Sequence, residues 1–261
     1  LPCDLLEHSA DHLKNSLALS FVQRLPNLRY VALWNKWLQW KDTLWLTDST
    51  LKTYDLIRQH IRLKVPSEKQ FLKATSVSAI EKLARADRRY AATVDQWDKD
   101  DHLLNTPKGA VNLRDGIPQE SDPALYMSKS TIVAPAGKAP RWFAFLDQVT
   151  DGDHEYQAFL QRFIGYAASG FTHEHAMFFL YGPGGNGKGI FLNTIQAVMG
   201  DYATVASMET FTDSKNDRHP TDMAMLQGAR MVFAQETESG RAWAESKIKS
   251  LTGGDPITAR F

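Results

Sequence analysis

The chain has 261 residues, enough for more than one small domain and too few for three. Thirty basic side chains balance thirty acidic ones, which excludes a packer held to nucleic acid by bulk positive charge, and 43% hydrophobic residues exclude a disordered chain. A single cysteine, Cys3, excludes a disulfide framework or a Cys-based zinc site and points to a reducing cytoplasm. No apolar run approaches the roughly 18 residues that a membrane span needs. The balance of charge is uneven: residues 1–150 hold 21 basic and 17 acidic side chains, and residues 151–261 hold 9 and 13. The chain opens on Leu1 with no Met, and Phe261 closely follows a Gly-Gly-Asp-Pro turn, so both ends read as cut points.

Leu13, Leu17 and Phe21, four apart, predict an amphipathic helix over residues 10–23. The short aromatic runs 29–34, 37–40 and 44–46, separated by polar breaks, predict a small antiparallel meander. Trp34, Trp37, Trp40 and Trp45 crowd into it, and they read as sheet core, with a base-stacking platform as the alternative. A helix follows from Thr50 to about Leu63, with Pro66 as its punctuation. Ser78 and Glu81 have the spacing of a capping box, predicting a helix through about Trp97. Its cations Lys82, Arg85, Arg88 and Arg89 read as a solvated face, with phosphate contact as the alternative. Residues 101–141 are rich in Gly and Pro and read as loop and boundary. Two amphipathic helices then follow, carrying Trp142, Phe145, Leu146 and Val149, and Phe159, Leu160, Phe163 and Ile164.

The chemistry concentrates after residue 175. Ala176–Tyr181 is a continuous apolar run, which predicts a strand buried on both faces. It runs into Gly182-Pro183-Gly184-Gly185-Asn186-Gly187-Lys188-Gly189, and apolar residues at helical spacing continue to Gly200. Strand, glycine-rich loop, lysine and helix is the order of a phosphate-binding loop. The glycines allow positive φ and close approach of backbone N–H groups, the helix N-terminus favours the anion, and Lys188 supplies a point charge. Gly189 stands where such loops usually place a hydroxyl for Mg²⁺. About forty residues on, Arg230–Ala234 ends in Gln235-Glu236-Thr237-Glu238, the pattern of a strand that delivers carboxylates to a metal and a water. Glu236 is the first candidate and Glu238 the second. The segment 245–261 reads as a turn at Gly253-Gly254-Asp255-Pro256, with Lys249 and Arg260 placed to touch a nucleic-acid backbone. His173 and His175 lack a third ligand at metal spacing and read as surface histidines.

Taken in order, the segments 182–188, 236–238 and 249–260 resemble the phage and plasmid primase-helicase family, whose motor is a superfamily 3 helicase of AAA+ type. The segment 101–116 is similar to the stretch before that motor in the poxvirus-type helicase-primase N-terminal region, and residues 37–48 to its tryptophan-rich strands. The resemblance implies an α/β fold: a P-loop NTPase core over 140–261, incomplete at its C-terminal end, preceded by a mixed α+β accessory region over 1–139. It implies ATP and Mg²⁺ as cofactors and single-stranded or forked DNA as partner. It further implies a homo-hexameric ring, no membrane, and a phage- or plasmid-encoded protein in the bacterial cytoplasm. In that frame Gly182, Pro183, Gly184, Gly185, Asn186, Gly187, Lys188 and Gly189 bind the triphosphate, with Lys188 at its outer phosphates. Glu236 serves Mg²⁺ through water, Glu238 serves water activation, and Lys249 and Arg260 face DNA. A sensor strand, which would separate the loop's strand from the acidic strand, and an arginine finger are expected beyond Phe261, and a primase segment before Leu1. Two other readings stay open: a nucleotide-, DNA- or partner-binding fragment without turnover, and an unrelated P-loop enzyme such as a small-molecule kinase.

Overall fold

A computed structural model describes residues 2–213, 223–234 and 242–255. The chain divides into two compact units, residues 1–99 with 122–128, and residues 100–121 with 129–261.

In the first unit, helix α1 (Pro2–Arg24) leads into strands β1 (Leu28–Val31), β2 (Lys36–Lys41) and β3 (Leu44–Thr47). These form the expected meander, with Tyr30 opposite Trp37 and Trp40 opposite Trp45. A two-residue strand β4 (Ala91–Ala92) adds parallel to β1, giving the order β3-β2-β1-β4. Alternation along the strands sends successive side chains to opposite faces. Leu28, Tyr30 and Trp37 meet α1, α2 (Lys52–Lys64) and α3 (Ala74–Arg85) in one core with Phe21, Ile57, Ile61 and Ile80. Val31, Leu38 and Trp45 meet Trp97 and Tyr126 on the other face. The returning segment 122–128 closes that face: Trp45 donates its backbone N–H to Met127 O (2.8 Å) and its indole N–H to Pro123 O (3.0 Å). Trp37 gives its indole N–H to Glu81 (2.8 Å). The tryptophans are therefore mainly sheet core. Trp34 is the most exposed of the four, at 38%, and lies 6.0 Å from the Trp97 ring.

Helix α2 begins two residues later than expected because the Asp48 carboxylate, upstream of it, accepts the N–H groups of Thr50, Lys52 and Thr53. Burial pushes the Asp48 carboxyl up, and the backbone donors outweigh it, so the group titrates below its ordinary range.

Two expectations are corrected here. The helix expected over 78–97 instead runs from Ala74 to Arg85, with Ser78 inside it and in contact with the Tyr54 hydroxyl (3.3 Å). The chain leaves the helix because Asp87 and Arg89 form a turn, Tyr90 is buried, and Ala91–Ala92 pairs with β1. Sheet pairing and burial of one tyrosine outweigh helix propensity. The stretch 101–141 also holds more structure than a loop: β5 (Leu103–Thr106), β6 (Gly109–Asn112) and β7 (Pro118–Gln119) form an antiparallel sheet in that order. Gly109 permits it, since at φ +109 a Cβ there would lie 2.3 Å from Gln119 O.

The second unit continues with α4 (Pro140–Val149) and α5 (His154–Ser169), both at expected positions. Asp153 caps α5 by accepting from Tyr156 N (2.9 Å), and Gly170 ends it in the left-handed region. Helix α6 (Lys188–Met199) leads to β8 (Ala203–Val205), which pairs parallel with β9 (Met231–Phe233). Helix α7 (Glu245–Gly253) follows. Leu146, Leu160, Phe191, Ile195, Met199 and Phe233 share one core.

The strand expected over 176–181 is a further correction. Those residues form no strand, and Phe179 and Tyr181 are 60% and 83% exposed. Phe178 packs on Phe163 (3.9 Å between centroids) and Leu180 joins the core, so one side is covered. Among the described residues no strand pairs with the run, and an apolar segment is buried on two faces only when neighbours flank it.

Candidate phosphate-binding site

The loop 182–189 sits at the start of α6. Phe191, Ile195 and Met199, four apart, bury one stripe of that helix and anchor it in the core. The ring of Trp142, from α4, stacks on Phe191 (5.6 Å). The helix N-terminus is thus held from below while its first N–H groups, which no intrahelical carbonyl satisfies, face the loop.

Gly187 is the pivot. It is the N-cap of α6 at φ +86, and its carbonyl accepts from Phe191 N (2.9 Å). A Cβ there would meet Val149 at 2.6 Å and Phe145 at 3.2 Å. Backbone conformation and the close approach of α4 both require glycine. Gly182 and Gly185 also have positive φ (+144 and +78).

Lys188 curls back over this loop. Its ammonium donates to Gly182 O (2.9 Å), Pro183 O (3.1 Å) and Asn186 Oδ1 (2.8 Å). A compact charge is therefore held at the loop's centre by three oxygens, in front of a helix N-terminus. Asn186 bridges the loop: its amide nitrogen would lie 2.7 Å from a Cβ on Gly182. The residues Gly182 to Asn186 are exposed, and Gly187 and Lys188 are half-buried. A glycine loop, a helix N-terminus and a cation lie together here, the set of groups that suits an anion with several oxygens. It fits a metal less well. Gly189 offers no hydroxyl, and no group of three or more His, Cys, Asp or Glu side chains placed to hold a metal ion occurs among the described residues.

The apolar part of the strand expected over 230–234 is present: β9 covers Met231–Phe233, in register with β8 through Val205 opposite Phe233. Arg230 locks its entrance by donating to Leu103 O (2.7 Å) and Ala168 O (3.2 Å) and lying 4.6 Å over the Tyr202 ring. Glu236 and Glu238, as well as Arg260, lie outside the described residues. Lys249 stands on α7, paired with Glu245 one turn earlier (3.6 Å) with both side chains 79% exposed. Gly254, at φ +75, ends that helix, so the glycine pair acts here as a helix stop. His173 and His175 are exposed, as expected.

The sequence places Lys188 and the loop glycines together. It does not reveal that Asn186 holds the lysine, nor that α4 backs Gly187, because both depend on side chains brought together by folding.

The profile of a family described as D5 N terminal like matches residues 18–151, just over half of the chain. A second profile, described as a family of unknown function (DUF5906), matches residues 180–261 and so includes the loop. No curated protein matches the chain.

Proposed function

The chain belongs to the D5 N-terminal-like family, whose domain is the N-terminal region of phage and plasmid primase-helicase proteins, and we propose that residues 140–261 form part of an ATP-driven DNA helicase motor. Family membership suggests a replication protein of primase-helicase type and, with it, interaction with DNA. The observation that carries the motor is the Lys188 ammonium held over a glycine loop at the start of α6.

In this reading the loop 182–189 takes the triphosphate of ATP. Its backbone N–H groups face the phosphate oxygens, and Lys188 exchanges loop carbonyls for the outer phosphates. A cation that moves from neutral acceptors to phosphate oxygens gains a charge-assisted contact, which favours binding without rebuilding the loop. Mg²⁺ finds no hydroxyl at Gly189, so its protein partner is assigned to Glu236 through water, with Glu238 beside it for the attacking water. A homo-hexameric ring is part of the same proposal.

The deciding measurement is equilibrium binding of ATP to the whole chain and to Lys188→Ala. The variant is expected to bind at least tenfold more weakly, a difference of about 1.4 kcal/mol. Equal affinity, or none in the parent chain, sinks the reading. Binding without hydrolysis when single-stranded DNA is added favours a nucleotide-binding role without turnover, which the largely exposed run 176–181, paired with no strand among the described residues, supports.

A further inference from the structure

The whole chain is neutral, but its charge is not evenly placed. Between Lys52 and Arg89 stand ten cations and four acids. Three of those acids are committed locally: Asp55 lies 3.8 Å from Arg58, Glu81 lies 3.9 Å from Arg85 and accepts from Trp37, and Asp87 holds Arg89 at 2.7 Å. The fourth, Glu68, accepts from Gln70 (3.1 Å). Arg62, Lys64, Lys69, Lys73, Lys82 and Arg88 are all exposed and make no ion pair among the described residues.

These six share one helical layer. Arg62 and Lys64 close α2, Lys69 and Lys73 stand in the link to α3, Lys82 is on α3, and Arg88 follows it. The Tyr54 hydroxyl donates to Ala74 O (3.1 Å) and meets Ser78 (3.3 Å), so the helices lie side by side. Ile57, Ile61, Val77 and Ile80 fill the inner side; Arg62 and Lys82 stand off that buried stripe, while Lys64, seven residues after Ile57, extends from the stripe's exposed end. The only large exposed hydrophobics in this stretch are Leu63 and Leu83, so it offers no aromatic surface on which bases would stack.

We propose that the outer face of α2, the 65–73 link and α3 is a sequence-independent binding surface for the phosphate backbone of DNA. Free cations over a layer about 20 Å long face on the order of ten duplex charges, and each phosphate neutralised releases condensed counterion. Asp55, Glu81 and Asp87 lie beside Arg58, Arg85 and Arg89, so their charge is offset locally and the six cations of the layer set the sign of the surface. From the proposed function this inference takes only that DNA is the partner; it places the contact far in sequence from Lys188, Lys249 and Arg260.

The test is fluorescence anisotropy of the whole chain with a mixed-sequence 20-base-pair duplex and its single strand, across about 50 to 200 mM salt. The triple variant Lys69→Gln, Lys73→Gln, Lys82→Gln should bind the duplex at least tenfold more weakly at mid-range salt. Its slope of log affinity against log salt should be shallower by roughly two to three. The control Lys36→Gln, Lys41→Gln, on the sheet, should change neither quantity. Unchanged affinity and slope in the triple variant overturns the inference, as does an equal loss in the control or a parent chain that binds no DNA at the lowest salt. ATP binding measured on the same samples keeps the two proposals apart. Loss of ATP binding in Lys188→Ala with DNA binding intact in the triple variant ends this inference and spares the nucleotide site, and the reverse pattern does the opposite.

Discussion

The two units treat their aromatic residues in opposite ways. In the first, the sheet β3-β2-β1-β4 is covered on both faces, and Trp45 sits at 1% exposure between Trp40, Trp97 and Tyr126. In the second, the equally apolar run 176–181 is covered on one side by Phe163 and the core and leaves Phe179 and Tyr181 to solvent. Composition does not separate these segments. What separates them is the kind of neighbour: each tryptophan strand is paired with a strand and has side chains above and below, and the second run, with no strand beside it among the described residues, has only side-chain contacts such as Phe163 and Trp243. Hydrophobic stabilisation follows the area removed from water, so the same residue types contribute very differently.

This contrast makes its strongest demand at Trp45. Trp45→Ala should lower the unfolding free energy of the first unit by about 3–5 kcal/mol, read from chemical denaturation, while Phe179→Ala should cost within about 0.5 kcal/mol. Comparable losses in the two variants would break the comparison. Gly187→Ala comes next. A left-handed backbone and the 2.6 Å approach to Val149 together should cost about 2 kcal/mol or more, with ATP binding lost alongside stability. Retained ATP affinity would mean that the loop tolerates a different path.

A smaller effect tests how tightly the first core is closed. His60 is fully buried, its Nε2 2.7 Å from the Ser20 hydroxyl, while its Nδ1 has no partner. Burial, then Arg24 and Lys64, push its pKa below the ordinary 6.5. The folded chain thus resists a proton that the unfolded chain accepts. Stability should be full above pH 6.5 and fall as pH drops below it, until the folded-state value is reached. His60→Gln should flatten that part of the pH profile, whatever it does to stability at neutral pH. A profile that keeps its slope in the variant would assign the effect elsewhere.

Much of this architecture was legible in the residues. Helical spacing of apolar residues located α1 and α6, short aromatic runs between polar breaks located the meander, and four glycines before Lys188 located the loop. The failures share a cause. Ser78–Glu81 is a valid cap pattern, but Tyr90 has a buried place to fill and β4 a strand to join, so the helix begins and ends earlier. The proline- and glycine-rich stretch 101–141 looked structureless because its strands are only two to four residues long and depend on one another. Gly253 to Pro256 read as a turn, and the helix before it is too short and weakly patterned to show in the sequence.

Local rules thus determined which backbone shapes each segment can take: where a loop can bend, where a helix can begin, which side chains are apolar. They also determined the charge count that leaves a surplus of cations between Lys52 and Arg89. Only the tertiary structure decided which apolar runs are buried and which of those cations stay unpaired. It alone placed Asn186 on Lys188 and Val149 behind Gly187. Burial and pairing are properties of neighbours, and neighbours distant in sequence exist only once the chain has folded.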